Sequence, residues 1–296
     1  MKPKLIVILG PNASGKSSLG IHLAKKYNGE IISADSTQVY KGLDLGTGKV
    51  TEEEMDGIKH HLIDILNPGE NFSVFDFQKK AYEIIDDIIA RGKTPFIVGG
   101  TGLYIRSITK GYNLTETAID MDYRKTLEEK SLEHLVTELE NSHIDISKID
   151  IKNKRRVIRA LEKLKIGEYE AKDPSIKYDC LELGLAWDKE KQQELINDRV
   201  DERIKQGMIE EIETLRKNGV SDEFLETIGL DYRYTLWYLT NKFKSIEEYT
   251  EELKRADRKY AKRQMTWFKK DENVIWLDTK KDYYEEAASH IEKSKP

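Results

Sequence analysis

Three short stretches carry the residue types from which phosphate chemistry is built. The first, GPNASGKS at 10–17, satisfies the pattern G-x-x-x-x-G-K-[ST]. Gly10 and Gly15 let the intervening Pro11, Asn12, Ala13 and Ser14 curl, so that backbone N–H groups of the loop converge on one concavity. Lys16 then reaches terminal phosphates, and the Ser17 hydroxyl is a ligand for magnesium. The second stretch, DSTQVY at 35–40, places the carboxylate of Asp35 ahead of the hydroxyls of Ser36 and Thr37 and the amide of Gln38. That set reads the edge of a base better than it clamps a metal. Asp35 keeps two readings open: a holder of magnesium through water, as in a kinase or ATPase, or a general base facing a nucleophile across a cleft. The third stretch, GGTGLY at 99–104, puts Thr101 in a glycine loop. There it donates to a departing phosphate oxygen or caps the helix that follows, and the two roles are compatible. A polyphosphate is the expected ligand. The loop pattern alone does not separate a nucleotide from another diphosphate.

These residues need a scaffold that brings loops to one edge. The first hundred residues alternate short apolar runs with helical patterns. KLIVIL (4–9), EIISAD (30–35) and TPFIVGG (94–100) read as strands, with SSLGIHLAKKY (17–27) and FDFQKKAYEIIDDIIARG (75–92) as helices. In the second helix Ile84, Ile85, Ile88 and Ile89 share a face, and a glycine cap follows. Such alternation predicts a parallel sheet with crossover helices, and ligands bind at the carboxyl ends of its strands. All three polar loops fall at those ends. From Leu114 to about Ile166 the sequence is charged and helical without a convincing strand, and strand-like sequence returns only at CLELGLAW (180–187). We therefore expect an α/β fold: a phosphate-loop NTPase-like parallel sheet flanked by helices, with an all-helical insert. The core is assigned to 1–112 and 179–296, the insert to 113–178. Residues 191–219 read as helical, and NVIWLD (273–278) as a last short strand.

The 296 residues are 35% charged and 38% apolar, a balance that suits a soluble α/β domain with an insert or a pair of domains. No apolar run approaches the roughly 18 residues of a membrane span, so no membrane partner is expected. The one cysteine, Cys180, rules out an internal disulfide framework and fits a reducing cytoplasm. No Cys/His spacing suggests zinc, and His60 and His61, being adjacent, read as one packed and one solvated ring. The net charge of −5 argues weakly against nucleic acid, yet its distribution is uneven. Between Lys254 and Lys270 stand eight basic residues against one acid, Asp257, and a second basic run is IKNKRRVIRALEK at 151–163. Both suit phosphodiester contact; the alternative for each is a solvated helix face.

GPNASGKS, ISADSTQVYKGLDLGTGK, HHLID, FSVFDFQ, VGGTGLY, KNKRRVIRALE and RKYAKRQMTWF occur in the order found in tRNA dimethylallyltransferases. The chain resembles that family over about 10–278. The resemblance implies that the loop 10–17 binds the diphosphate of dimethylallyl diphosphate, with Mg2+ as cofactor on Ser17. It implies further that Asp35 takes a proton from the adenine amine 3′ of the anticodon. Thr101 and an arginine then neutralise the leaving group. Arg199 in NDRVDER matches the family's arginine before a helix, with Arg203 second; otherwise both are solvated and paired to Asp198 and Glu202. By the same resemblance tRNA, through its anticodon stem-loop, contacts Asp35, Ser36, Thr37, Gln38, Thr101, Arg124, Arg155, Arg156, Val157, Ile158 and Arg159. A cytoplasmic monomer is the expected working form. Three departures stand out. Asn12 replaces the usual Thr, IGLDYR (228–233) replaces IGY followed by Lys, Arg or Gln, and KIGEYEAKDPSIKY (165–178) lacks the usual Ser/Thr-rich connection. Other readings are transfer to a free adenine nucleotide, a small-molecule kinase, and a non-catalytic RNA-binding protein. The kinase leaves GGTGLY and the basic helix without a role; the RNA-binding protein leaves Lys16, Ser17, Asp35 and Thr101 without one.

Overall fold

In the central strand, β1 (Lys4–Leu9), successive side chains alternate between two apolar layers. Leu5, Val7 and Leu9 enter one, Ile6 and Ile8 the other, as a strand covered on both faces requires. A computed structural model describes residues 2–114, 120–142, 144–147, 149–167 and 174–294. Five further strands follow: β2 (Gly29–Ser33), β3 (His60–His61), β4 (Thr94–Gly99), β5 (Asp179–Gly184) and β6 (Ile275–Trp276). They form one sheet in the order β3-β2-β4-β1-β5-β6 with every pair parallel. Helix α1 (Lys16–Lys26) packs on the Ile6/Ile8 side. Helix α3 (Val74–Ala90) packs on the Leu5/Val7 side, burying Ile85 and Ile88 fully and Ile84 and Ile89 in part. The short α2 (Glu52–Met55) lies between β2 and β3, and α4 (Gly102–Thr109) follows β4.

The fold departs from the sequence reading at three places. EIISAD ends as a strand at Ser33, so Asp35 stands beyond the sheet edge. His60 and His61, read as one packed and one solvated ring, are both half-buried and form the edge strand β3, registered on Ile31 and Ile32. The helical stretch 191–219 is two helices, α8 (Lys189–Lys205) and α9 (Met208–Lys217), divided at Gly207 with φ 103°. Helices α10 (Asp222–Ile228), α11 (Leu230–Leu239) and α12 (Ile246–Phe268) complete a layer around Val200, Ile212, Tyr232, Tyr249 and Leu253. Helix α13 (Tyr283–Lys293) covers α1.

Packing divides the chain into residues 1–111 with 176–296, and residues 112–175. Tyr178, assigned by sequence to the insert, belongs to the first unit: its ring is buried in the sheet core and its hydroxyl donates to Asp86 at 2.8 Å. The second unit contains α5 (Met121–Glu128), α6 (Leu132–Glu140) and α7 (Lys154–Lys165) around Leu127, Leu135, Leu139, Val157 and Leu161. No strand occurs among its described residues. The departure at KIGEYEAKDPSIKY falls in part, at 168–173, outside the described residues.

Candidate active site

The phosphate loop bridges β1 and α1. Gly15, at φ 88°, is the N-cap of α1 and no side chain caps the helix, so its first amides face outward as an anion site. Gly10 has no substitute: a Cβ there would stand 2.1 Å from the Leu185 carbonyl oxygen. Three distant side chains hold the loop backbone. Trp187 Nε1 donates to the Ser14 carbonyl at 3.1 Å, and Gln192 Nε2 to the Asn12 carbonyl at 2.7 Å. Gln264 accepts from the Asn12 N–H at 2.9 Å and donates to the Gly100 carbonyl at 3.0 Å, tying the loop to the end of β4. The Ser14 hydroxyl is buried without a partner among the described residues, an orphan that a bound oxyanion would satisfy. The Lys16 side chain is half-buried overall, but its ammonium is enclosed and donates to the Pro11 carbonyl at 2.5 Å. Burial lowers it from 10.5 to about 8, with Asp35 pulling the other way.

Asp35 faces this loop across a cavity of about 330 Å³ lined by Lys16, Ser17, Asp35, Ser36 and Thr101. Its Oδ1 accepts from the Thr37 N–H at 2.9 Å and the Thr37 hydroxyl at 2.7 Å. This turn uses one oxygen and leaves the other without a partner among the described residues. Thr101 is the N-cap residue of α4, yet its side chain does not cap. Its Oγ1 instead accepts from the Ser36 N–H at 3.1 Å, so its own proton remains available to donate. Gln38 is committed to the wall, bonding Ser33 at 3.0 Å and the Gly48 carbonyl at 3.2 Å.

The far wall is basic. Arg199 and Arg203 lie one turn apart within α8, not before a helix, and both line the cavity. Neither pairs with Asp198 or Glu202: Arg199 has no partner among the described residues, and Arg203, 5% exposed, donates to Asp231 at 2.9 Å. Both guanidinium groups rest on Gly48, where a Cβ would lie 2.0 Å from Arg203 Nη2 and 2.4 Å from Arg199 Nη2. IGLDYR, a departure with no assigned contact in the sequence reading, supplies wall residues Gly229 to Arg233. Tyr260 and Arg263 of α12 close the rim; burial, with Asp35 nearby, pushes the Tyr260 phenol up to about 12.

The basic clusters divide by partner. On α12, Lys254 bonds Asp201, Arg255 bonds Glu252 and Arg258 bonds Asn197. Lys259, Lys262, Arg263, Lys269 and Lys270 are exposed and pair with no carboxylate among the described residues. In the helical unit Arg155 and Arg156 are exposed, the latter 3.4 Å from Asp150. Arg124 and Arg159 converge on buried Glu162 at 2.7 and 3.1 Å. Val157 and Ile158, expected as tRNA contacts, are 0% and 4% exposed in the core of that unit. The helical period turns them inward while Arg155 and Arg156 face out, so their part is to support the helix. Trp187, Gln192, Gly48, Asp231 and the clamp role of Gln264 carry no local signal. Gly48, Trp187, Asp231 and Gln264 fall inside stretches the sequence singled out, ISADSTQVYKGLDLGTGK, CLELGLAW, IGLDYR and RKYAKRQMTWF, but none was assigned a role there.

Fold and site together define a phosphate-loop enzyme of the parallel-sheet class, in which a carboxylate, a hydroxyl and two arginines face the loop. A family model described as IPP transferase matches residues 38–271, and the chain belongs to that family. It is 43% identical over 295 residues to a tRNA dimethylallyltransferase of Halalkalibacterium halodurans, covering 94% of this chain and 92% of the relative. Among solved structures it is similar to a full-length tRNA isopentenylpyrophosphate transferase from Bacillus halodurans. The TM-score is 0.74 at 40% identity, covering 99% and 98% of the two chains. It is also similar to a eukaryotic dimethylallyltransferase acting on tRNA, with TM-score 0.81 and 28% identity, covering 99% of this chain and 80% of the other.

Proposed function

We propose that the protein transfers the dimethylallyl group of dimethylallyl diphosphate to the exocyclic amine of the adenosine 3′-adjacent to the anticodon in tRNA, releasing diphosphate. One observation carries this reading. A single cavity brings an uncapped phosphate loop opposite a carboxylate with a free oxygen and two arginines, in a chain whose relatives bear that activity in their names.

The diphosphate rests on the loop 10–17, where Lys16 and the first amides of α1 offset its charge. The adenine amine approaches Asp35, and its nitrogen attacks the allylic carbon as the carbon–oxygen bond to diphosphate breaks. The amine proton passes to the free Asp35 oxygen. The bonding pair leaves with the diphosphate, whose growing charge meets Lys16, Arg199 and the Thr101 hydroxyl. The Ser17 hydroxyl and the substrate's own phosphate oxygens are hard donors that fit Mg2+, which when bound supplies countercharge for the leaving group. The unpaired cations of α12 and the exposed Arg155 and Arg156 support RNA-backbone contact by the anticodon stem-loop. Extrusion of the target base would let Ser36 and the cavity wall read it. We take the working form to be a cytoplasmic monomer. Among the described residues no helix is long and apolar enough to cross a membrane.

The test is incubation with labelled dimethylallyl diphosphate and unmodified tRNA, AMP or neither. Label appearing in tRNA alone is expected, and prenylation of AMP in place of tRNA would overturn the acceptor. Asp35→Asn should lower turnover roughly 100-fold with diphosphate affinity within a few fold. If that variant instead loses magnesium-dependent diphosphate binding, Asp35 serves the metal.

A further inference from the structure

The reaction above leaves unexplained an acidic pair behind the arginines. Asp231 of α11 is 7% exposed and Asp257 of α12 is 3% exposed, and both line the same cavity as Arg203. Arg203 Nη1 donates to Asp231, while Arg203 Nη2 is buried without a partner among the described residues. Asp257 Oδ1 is likewise buried, and Asp257 accepts no hydrogen bond from a described residue. Two carboxyl groups and one guanidinium thus share an enclosed space. One guanidinium balances one carboxylate, and a second buried negative charge without a partner would cost several kcal/mol. The remaining carboxyl avoids that cost by keeping its proton. Burial and the charge of Asp231 both push Asp257 well above the usual carboxylate range, with Arg203 alone opposing. Among the other groups facing the pair, Arg199 rests on Gly48 beside Arg203 and bonds neither carboxyl, Arg233 donates to the Glu226 carbonyl, and Arg263 lies exposed over the Tyr260 ring. The Tyr260 phenol, pushed up to about 12, stays neutral, and the Tyr232 hydroxyl donates to Glu211. Asp35 stands across the cavity.

Resting on the function proposed above, we propose that Asp231 and Asp257 share one proton, Asp231 ionised on Arg203 and Asp257 neutral, and that this pair positions Arg203 beside Arg199 for an anionic oxygen of the ligand. The division of roles follows from the fork of the guanidinium. Asp231 fixes one prong. A neutral Asp257 in the same cavity does not claim the other, so Nη2 stays uncommitted over Gly48. Ionised, Asp257 would compete with the ligand for that prong. Asp231 stands where IGLDYR departs from a Lys, Arg or Gln.

Infrared spectroscopy of the full chain in D2O, from about pH 5 to about pH 9, tests the shared proton. The wild type should show the carbonyl stretch of a neutral carboxyl group persisting at neutral pH, and Asp257→Asn should remove it. A wild type without that band at neutral pH overturns the proposal, with no variant required to fold; so does a band that survives Asp257→Asn. Melting curves give a second reading. A group whose value is raised on folding contributes stability below the ordinary carboxylate range that is lost as pH climbs toward the raised value. The melting temperature of Asp257→Asn should therefore fall less between acid and neutral pH than that of the wild type, and parallel curves would count against the pair. For positioning, calorimetry with magnesium and inorganic diphosphate should find Asp231→Asn weaker by about ten- to hundredfold, the worth of one charged hydrogen bond. Unchanged affinity would overturn that half. None of these measurements reads transfer to tRNA, so the pair and the reaction can fail separately.

Discussion

Gly48→Ala is a change of one methyl group aimed at both arginines. The new Cβ would lie 2.0 Å from Arg203 Nη2 and 2.4 Å from Arg199 Nη2, against the 3.4 Å at which ordinary contact begins. The two groups must therefore retreat by about 1.4 Å and about 1.0 Å. Arg199 has no partner among the described residues and swings away at little cost. Arg203 cannot follow without stretching its 2.9 Å bond to Asp231. Residue 48 also has φ +59°, where a side chain costs about 1–2 kcal/mol. That strain should lower the melting temperature by about 2–8 °C for a domain of this size, leaving a folded protein at ordinary temperature. The effect on function is larger, because displacement of a charge by about 1 Å lowers turnover by about 100-fold where placement drives the reaction. Circular dichroism melting with steady-state transfer kinetics measures both. A folded Gly48→Ala protein with wild-type kcat/KM would refute the placement of Arg199 and Arg203 at the leaving group.

Because the Lys16 ammonium sits at about 8 rather than 10.5, its anion-binding form is lost as pH rises through that value. Calorimetry should find diphosphate affinity falling up to tenfold per unit above about pH 8, and a flat profile there would remove Lys16 from the site. Gln264→Leu leaves the Asn12 N–H without its acceptor and cuts the link to Gly100, which should lower stability by about 1–3 kcal/mol and weaken diphosphate binding. Amide exchange at Asn12 as slow as in the wild type would contradict it. Replacing the exposed Arg155 and Arg156 with Ala should flatten the log–log salt slope of tRNA affinity by about two units. Filter binding with a wild-type slope would make these side chains a solvated face.

Much of the architecture is written in local pattern. KLIVIL, TPFIVGG and CLELGLAW are apolar runs bounded by polar loops, and each becomes a strand of the expected parallel sheet. Lys16, Asp35 and Thr101 fall near one another because parallel strands end on the same edge. His60 and His61 escaped notice as a strand because two residues show no period. The basic wall escaped for another reason. Periodicity says which face of α8 or α12 is buried but not what it is buried against. The meeting of Arg203 with Asp231, or of Asn12 with Gln264, depends on an approach across 28 and 252 positions of chain. The run RRVIR illustrates the limit within a single motif, since adjacency in sequence joined Val157 and Ile158 to arginines that the helix turns the other way.

The clamp on the phosphate loop also sets when in synthesis the site can exist. Asn12 leaves the ribosome 252 residues before Gln264, and Lys4, at the start of β1, waits for its partner Asp179 across 175 positions. At about 5–20 residues per second, roughly 13–50 s separate the emergence of the loop from that of the side chain that holds it. For the first roughly 9–35 s of it, until β5 emerges, β1 lacks one neighbour, while residues 112–175, whose core is their own, have the contacts to settle early. The nascent chain thus carries an incompletely paired strand until Gly184 is made, and a truncated product ending before Gln264 would have the motif without this clamp.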